Sequence, residues 1–131
     1  MTHPVSRRPR VLLAEDHAEL AKAVLRVLAL ECEVVGSVPD GSAVVEAARR
    51  LQPDVVVLDL NLPKVNGLEA CRRIRQVNPD TKVIVFTAMN DPLIRQRCSE
   101  VGASAFVSKM AGDGDGDLLS TIKRLCDDRL T

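Results

Sequence analysis

The sequence predicts an α/β fold in which five parallel strands alternate with five helices, and three observations support this prediction. The chain has 131 residues, 46% hydrophobic and 27% charged, which is the size and composition of one globular domain. The runs 55–58 and 83–86 are apolar throughout, as in strands of a sheet that is covered on both faces. Between such runs, apolar residues recur at helical spacing. The predicted architecture is therefore (βα)5, a doubly wound parallel sheet.

Five short runs predict the strands, and each pair of runs leaves room for a helix. The predicted strands are 10–14, 33–37, 54–59, 82–87 and 104–108. Parallel strands joined by right-handed helical crossovers bring their carboxyl ends to one edge of the sheet, where ligands bind in folds of this kind. Functional side chains are therefore expected directly after the strands.

The segments between the strands predict amphipathic helices, because apolar residues follow the spacing i, i+4, i+7 in each. The triplets are Leu20, Val24 and Val27; Val44, Ala48 and Leu51; Ala70, Ile74 and Val77; Ile94, Cys98 and Val101; and Leu118, Ile122 and Leu125.

Local signals mark where several helices begin and end. Asn66 followed by Glu69 resembles a capping box, and Asp91 precedes a proline at a predicted first helical position. Polar His17 and Asp117 are expected at the starts of the first and last helices, while Gly102 suits the residue after a helix. Gly41 and Gly67 are assigned to turns.

Composition excludes several classes of function. Eighteen basic and eighteen acidic residues give no net charge, so we expect no direct nucleic-acid binding. The longest charge-free stretches, 83–90 and 101–108, are too short to span a membrane. The four cysteines form no Cys-x-x-Cys pair and are expected to be small buried side chains in a reduced, cytoplasmic protein. Residues 1–9 are expected to form a flexible tail, and 10–131 a single domain.

Polar residues follow four of the predicted strands. Glu15 and Asp16 come after the first strand, Asp59 ends the third, Thr87 ends the fourth and Lys109 follows the fifth. If the first and third strands are neighbours, three carboxylates crowd together and repel one another unless a cation neutralises them. Ligation by oxygen alone, without His or Cys, is the preference of Mg²⁺. The sequence therefore predicts a magnesium site at this edge.

A carboxylate beside Mg²⁺, with an ammonium and a hydroxyl opposite, can act as the nucleophile in phosphoryl transfer. Asp59 is the candidate, and it would become an aspartyl phosphate. Lys109 and Thr87 would stabilise the negative charge that spreads over the phosphoryl oxygens.

These residues, together with the motifs around them, resemble the receiver domain of bacterial two-component response regulators. The motifs are Asp-Leu-Asn-Leu-Pro-Lys-Val-Asn-Gly at 59–67, Thr-Ala at 87–88 and Gly-Ala-Ser-Ala-Phe-Val-Ser-Lys at 102–109. The resemblance extends from residue 10 to about residue 129. It implies the flavodoxin-like strand order 2-1-3-4-5, which the hydrophobic pattern does not provide.

The resemblance also implies a role for each site residue. Glu15, Asp16 and Asp59 would hold Mg²⁺, and Asn61 would add a backbone carbonyl to the metal. Asp59 would accept a phosphoryl group from a phosphohistidine donor. The chain would then be a switch rather than an enzyme, although it could catalyse its own phosphorylation and dephosphorylation.

For signalling, the resemblance implies that Thr87 and Phe106 form the switch. Thr87 and Lys109 would contact the phosphoryl group, and Phe106 would turn inward into the space that Thr87 leaves. The implied partners are a sensor histidine kinase or a histidine phosphotransfer protein, and a downstream protein or effector domain that binds the face of the fourth helix, fifth strand and fifth helix. The resemblance also allows a phosphorylation-dependent homodimer.

Three features depart from the family pattern. Met110 follows Lys109, where the family often has a proline after a cis peptide bond. Phe106 lacks the hydroxyl of the tyrosine found in some members. A Gly/Asp stretch at 112–117 lengthens the entry to the last helix.

Two other classes of protein share features with this sequence, but the sequence lacks residues that their chemistry needs. A haloacid-dehalogenase-like phosphatase also uses an aspartate nucleophile and Mg²⁺, but it needs a second Asp two positions on, where this chain has Asn61. A flavin-binding module would need a hydroxyl- and glycine-rich phosphate loop after the first strand and aromatic residues that stack on the ring. This chain has Glu15 and Asp16 there, and it contains no Trp or Tyr.

Overall fold

The computed structural model describes residues 7–109 and 117–127, which form one five-stranded parallel sheet with helices on both faces. The strand order is β2-β1-β3-β4-β5, which confirms the order 2-1-3-4-5. The elements in chain order are β1 (Arg10–Ala14), α1 (Ala18–Leu28), β2 (Glu33–Val38), α2 (Gly41–Leu51), β3 (Val55–Leu58), α3 (Gly67–Val77), β4 (Lys82–Thr87), α4 (Pro92–Glu100), β5 (Ala105–Ser108) and α5 (Leu118–Cys126).

Successive residues of a strand point to opposite faces of the sheet, so the apolar strands supply two cores. Val55 and Val57 of β3 pack with α1 and α5, whereas Val56 and Leu58 pack with α2 and α3. A smaller cluster, which includes Val85 of β4, lies under α4. Because both faces of β3 are covered, all four of its residues are buried.

The predicted helix starts are confirmed by their capping hydrogen bonds. The Asn66 and Asp91 side chains accept hydrogen bonds from the backbone N–H groups of Glu69 and Leu93, at 3.0 and 2.8 Å. Asp117 caps α5 at 2.9 Å, and His17 Nδ1 accepts from the Leu20 N–H at 3.3 Å. The box at α3 is only half formed, because the Glu69 carboxylate binds two arginines of its own helix instead of returning to the cap.

Some positions differ from the sequence prediction. Gly41 and Gly67 are the first residues of α2 and α3 rather than turn residues. Val27 and Val77, the last members of their apolar triplets, are 43% and 45% exposed. In each helix the next residue, Leu28 or Asn78, is buried instead, because the buried face continues four residues after Val24 or Ile74 rather than three.

The four cysteines, Cys32, Cys71, Cys98 and Cys126, are buried, as predicted, and none of them is part of a disulfide bond. Burial raises the pKa of the Cys71 thiol to about 12 and that of the Cys32 thiol to about 11. These thiols therefore behave as small apolar side chains in the two cores.

The predicted division into a tail at 1–9 and a domain at 10–131 stays a prediction. Residues 1–6, 110–116 and 128–131 lie outside the described part of the chain, and with them Met110 and most of the Gly/Asp stretch. Arg7 pairs with Asp54 at 3.4 Å, and Arg8 donates to the Ala29 carbonyl at 3.3 Å.

Across the described residues, no helix has the length and apolar character that crossing a bilayer requires.

Candidate functional site

Three carboxylates meet at the carboxyl edge of the sheet because β1 and β3 are neighbours. Ala14 at the end of β1 lies opposite Leu58 at the end of β3. Glu15 and Asp16, which follow β1, therefore lie next to Asp59, which follows β3. One carboxylate oxygen from each of the three residues lies within 4.8 Å of the others. Glu15 and Asp59 are buried and Asp16 is exposed. The predicted cluster is therefore present, with one open side.

Backbone groups hold the two buried carboxylates in place. The Asp59 N–H donates to the Ala14 carbonyl at 3.2 Å, which ties the residue to β1. Glu15 Oε2 accepts a hydrogen bond from the His17 N–H at 3.1 Å, at the start of α1. The Asn61 N–H is 3.4 Å from Asp59 Oδ1, at the long limit of a hydrogen bond.

Lys109 bridges the two buried carboxylates. Its Nζ donates to Glu15 Oε1 at 2.8 Å and to Asp59 Oδ2 at 3.1 Å. Burial favours the neutral amine, but the hydrogen bonds to Glu15 and Asp59 outweigh it, so the pKa of Lys109 is raised above its ordinary value. The ammonium is therefore charged at neutral pH and fixed beside the Asp59 carboxylate.

Phe86 also contacts Lys109, and it was not among the predicted site residues. The Lys109 ammonium lies 5.6 Å from the centre of the Phe86 ring, within the range of a cation–π contact. The sequence signal that could have indicated Phe86 is its position directly before Thr87, a predicted site residue. Strand pairing adds a second anchor, because the Lys109 N–H donates to the Thr87 carbonyl at 2.8 Å.

Thr87 ends β4, next to β3 in the sheet, and its side chain is buried. Its Oγ1 accepts a hydrogen bond from the Met89 N–H at 3.3 Å. Thr87 thus lies at the same edge as the carboxylates and organises the first turn of the loop that follows it.

Phe106 lies on β5 opposite Val85 and is 3% exposed. It packs with Leu60, Val85 and Cys98, and the Arg95 guanidinium lies 5.4 Å from the ring centre. The ring is therefore already turned inward in this structure. The predicted inward turn of Phe106 on phosphorylation stays a prediction.

The loop between β3 and α3, residues 59–66, returns closely to its own stem. The Gly67 N–H donates to the Leu60 carbonyl at 2.9 Å. A Cβ at Gly67 would lie 2.5 Å from the Asp59 carbonyl oxygen. This oxygen belongs to the backbone, so the overlap could be relieved only by moving the chain itself. Glycine is therefore required where α3 begins, directly behind Asp59. Asn61, the predicted carbonyl ligand, is an exposed residue near the start of this loop.

Comparisons with known proteins agree on the kind of domain. A sequence profile of the response regulator receiver domain matches residues 11–123. The transcriptional regulatory protein DegU of Brevibacillus brevis is 37% identical over 102 residues, which are 76% of this chain and 43% of DegU. The DNA-binding transcriptional activator EvgA of Escherichia coli (strain K12) is 31% identical over 103 residues, which are 77% of this chain and 50% of EvgA. This chain therefore spans about half the length of these curated relatives.

A solved structure supports the same assignment. The signal receiver domain of NarL from Mycobacterium tuberculosis superposes with a TM-score of 0.79 at 28% identity. The superposition covers 92% of this chain and 95% of the NarL domain.

The relatives contradict one expectation about partners. The prediction that nucleic acid is absent from the partners is wrong, because EvgA is a DNA-binding activator and DegU is a transcriptional regulatory protein. The prediction rested on the zero net charge of this chain. That charge carries no information about the half of each relative that this chain does not span.

Proposed function

Since this chain belongs to the response regulator receiver domain family, we propose that it is a phosphorylation-dependent signalling switch in which Asp59 accepts the phosphoryl group. The observation that carries this proposal is the position of Lys109, whose ammonium bridges Asp59 and Glu15 beside a third carboxylate, Asp16. A carboxylate with this environment is a suitable nucleophile for phosphoryl transfer.

The donor set supports Mg²⁺ as the metal. Glu15, Asp16 and Asp59 offer carboxylate oxygens within 4.8 Å of one another, and hard cations prefer such ligands. We assign these three residues as ligands, with the Asn61 backbone carbonyl as a fourth. When bound, Mg²⁺ would neutralise the carboxylates and offset the negative charge of the incoming phosphoryl group.

In the proposed reaction, an Asp59 carboxylate oxygen attacks the phosphorus atom of a phosphohistidine. The new O–P bond forms as the P–N bond breaks, and the imidazole nitrogen leaves with the bonding pair. Lys109 then donates from Nζ to a phosphoryl oxygen. The Thr87 hydroxyl, which accepts from Met89, keeps its own hydrogen to donate to another phosphoryl oxygen.

The proposal covers only the first step by which phosphorylation produces a signal, which is a change in the β4–α4 loop. Phosphoryl oxygens offer Thr87 a new acceptor, and this differential contact can shift the equilibrium between two arrangements of the β4–α4 loop. The switch role of Phe106 and the autocatalytic loss of the phosphoryl group stay predictions. The transcriptional roles named for the relatives support gene regulation as the process that the switch serves.

The dehalogenase-like phosphatase has less support. Its mechanism needs a carboxylic acid two residues after the nucleophile to move a proton, and the Asn61 amide cannot do this. The family match also favours the receiver domain over this alternative.

The test is phosphorylation by acetyl phosphate with Mg²⁺, followed by intact-mass measurement. The parent should gain one phosphoryl group, and Asp59→Asn should gain none because its amide is a poor nucleophile. Asp54→Asn is the matched control. Asp54 lies at the opposite edge of the sheet, where it accepts from the Arg10 N–H at 2.8 Å, so this variant should be labelled like the parent. Full labelling of Asp59→Asn would overturn the proposal.

A further inference from the structure

The β3–α3 loop carries the Asn61 carbonyl, and it leans on the first turn of α2. The Gly41 N–H donates to the Pro63 carbonyl at 3.1 Å. Next to this contact, Lys64 Nζ lies 3.7 Å from Asp40 Oδ2. Lys64 has a positive φ of 70°, so the backbone turns sharply at the point of contact. Segments more than twenty residues apart in sequence therefore meet through their backbones.

Gly41 makes this approach feasible because it has no side chain. A Cβ at this position would lie 1.6 Å from the Val65 carbonyl oxygen and 2.5 Å from the Val65 carbonyl carbon. Both obstacles are backbone atoms, so no change of rotamer could relieve the overlap. Any side chain at position 41 must displace either the loop or the start of α2.

The stem and the middle of the loop are held by different glycines. Gly67 holds the loop to its stem, through the hydrogen bond to Leu60, while Gly41 holds its middle against α2. Asn61 lies between these two anchors. If the loop is the part that moves, the shift at Val65 is taken up within residues 61–66, which include Asn61.

We propose that Gly41 is a positioning residue for the metal site: the absence of a side chain there sets the β3–α3 loop, and with it the place at which the Asn61 carbonyl meets Mg²⁺. This inference rests on the proposed function, because it takes the site to be a Mg²⁺ site used in phosphoryl transfer. Gly41 itself touches neither the metal nor the phosphoryl group.

The test compares Gly41→Ala with Gly36→Ala. A Cβ at Gly36 would meet only the ends of two leucine side chains, at 3.1 and 3.4 Å, which can move aside. Three quantities are measured: the amide chemical shifts of residues 60–66 in metal-free protein, the Mg²⁺ dissociation constant by calorimetry, and the midpoint of thermal unfolding. Gly41→Ala should shift the loop amides and weaken Mg²⁺ binding by about tenfold to a hundredfold, the range found when groups that orient a metal ligand are lost. Gly36→Ala should bind Mg²⁺ like the parent.

Dependence on Mg²⁺ concentration separates positioning from general damage. Gly41→Ala should regain the parent's rate of phosphorylation by acetyl phosphate at saturating Mg²⁺, because the defect lies in binding the metal. Unshifted loop amides, or parent-like Mg²⁺ affinity with shifted amides, would overturn the inference.

A second variant covers the case in which Gly41→Ala does not fold. Val65→Gly leaves position 41 and every proposed ligand intact, but it removes a half-buried side chain that packs the loop against the core under α2. It should also move the loop amides and weaken Mg²⁺ binding. Moved amides with unchanged Mg²⁺ affinity would contradict the inference.

The outcomes distinguish this inference from the proposed function. A parent that binds Mg²⁺ but takes no phosphoryl group would refute the proposed function and leave the positioning role of Gly41 standing. A Gly41→Ala variant that matches the parent in Mg²⁺ affinity and is phosphorylated on Asp59 would refute the positioning role alone. A parent that binds no Mg²⁺ would overturn both.

Discussion

The loop that begins at Asp59 and the loop that follows Thr87 are held in different ways. The β3–α3 loop is fixed by backbone contacts at Gly41 and Gly67, and it leads into α3, which buries four residues, Gly67, Ala70, Cys71 and Ile74. The β4–α4 loop is exposed from residue 88 to residue 91, and α4 buries only Cys98. One side of the site is therefore built into the core, whereas the other side can rearrange at lower cost in free energy. We expect the rigid side to hold the metal and the looser side to respond to the phosphoryl group.

The largest expected effect comes from the same substitution on the two helices. Ile74 of α3 is completely buried, and Ile94 of α4 is only partly buried. Ile74→Ala should lower the free energy of unfolding by about 2–5 kcal/mol, because it leaves a cavity in the core. Ile94→Ala should cost about 1 kcal/mol. Urea denaturation of both variants measures the difference, and equal costs would show that the two helices are packed alike.

Thiol labelling gives the next largest effect, since each helix carries one buried cysteine. Burial raises the pKa of both Cys71 and Cys98, so neither thiol should react until its surroundings open. The comparison uses two variants, one that retains Cys71 and one that retains Cys98 as its single cysteine. Cys98 should react at least about tenfold faster than Cys71, which corresponds to a free energy of local opening that is about 1.4 kcal/mol lower. Faster reaction of Cys71 would reverse the proposed order of stability.

A smaller effect is expected at the start of the looser loop. Thr87→Val keeps the shape of the side chain but removes the oxygen that accepts from the Met89 N–H. The free energy of unfolding should fall by about 1 kcal/mol, the usual net value of one hydrogen bond, and Thr87→Ser should stay close to the parent. In phosphorylated protein, Thr87→Val should also reduce the chemical-shift changes of the α4 amides. Unchanged α4 shifts in that variant would remove Thr87 from the signalling route.

Most of the fold could be predicted from the sequence because its signals are local. The apolar run at 55–58 matches β3, and the caps at Asn66 and Asp91 lie where their side chains indicated. The strand order could not be obtained this way, since it depends on which strands pair, and it came from the family resemblance. The triplet in α4 looked like those in the other helices, although only Cys98 of its three members is fully buried. Spacing shows which residues share a face but not how closely that face is packed.

The candidate site likewise contains residues that could be identified from the sequence and contacts that could not. Glu15, Asp16, Asp59, Thr87 and Lys109 could be identified because each lies at the end of a strand, and parallel strands bring these ends together. The bridging of Glu15 and Asp59 by Lys109 required the tertiary structure. The contact between Gly41 and Val65 had no local signal at all, because a glycine after Asp40 is equally suited to a turn.

The central claim is that Asp59 carries the phosphoryl group, and locating that group on the chain tests it most directly. Borohydride reduces an aspartyl phosphate to homoserine, which peptide mass spectrometry can assign to one residue. After reaction with acetyl phosphate and Mg²⁺, we predict homoserine at position 59 in the parent and none after Mg²⁺ is removed with a chelator. Homoserine at Asp16 or Asp54 with Asp59 unmodified would contradict the account.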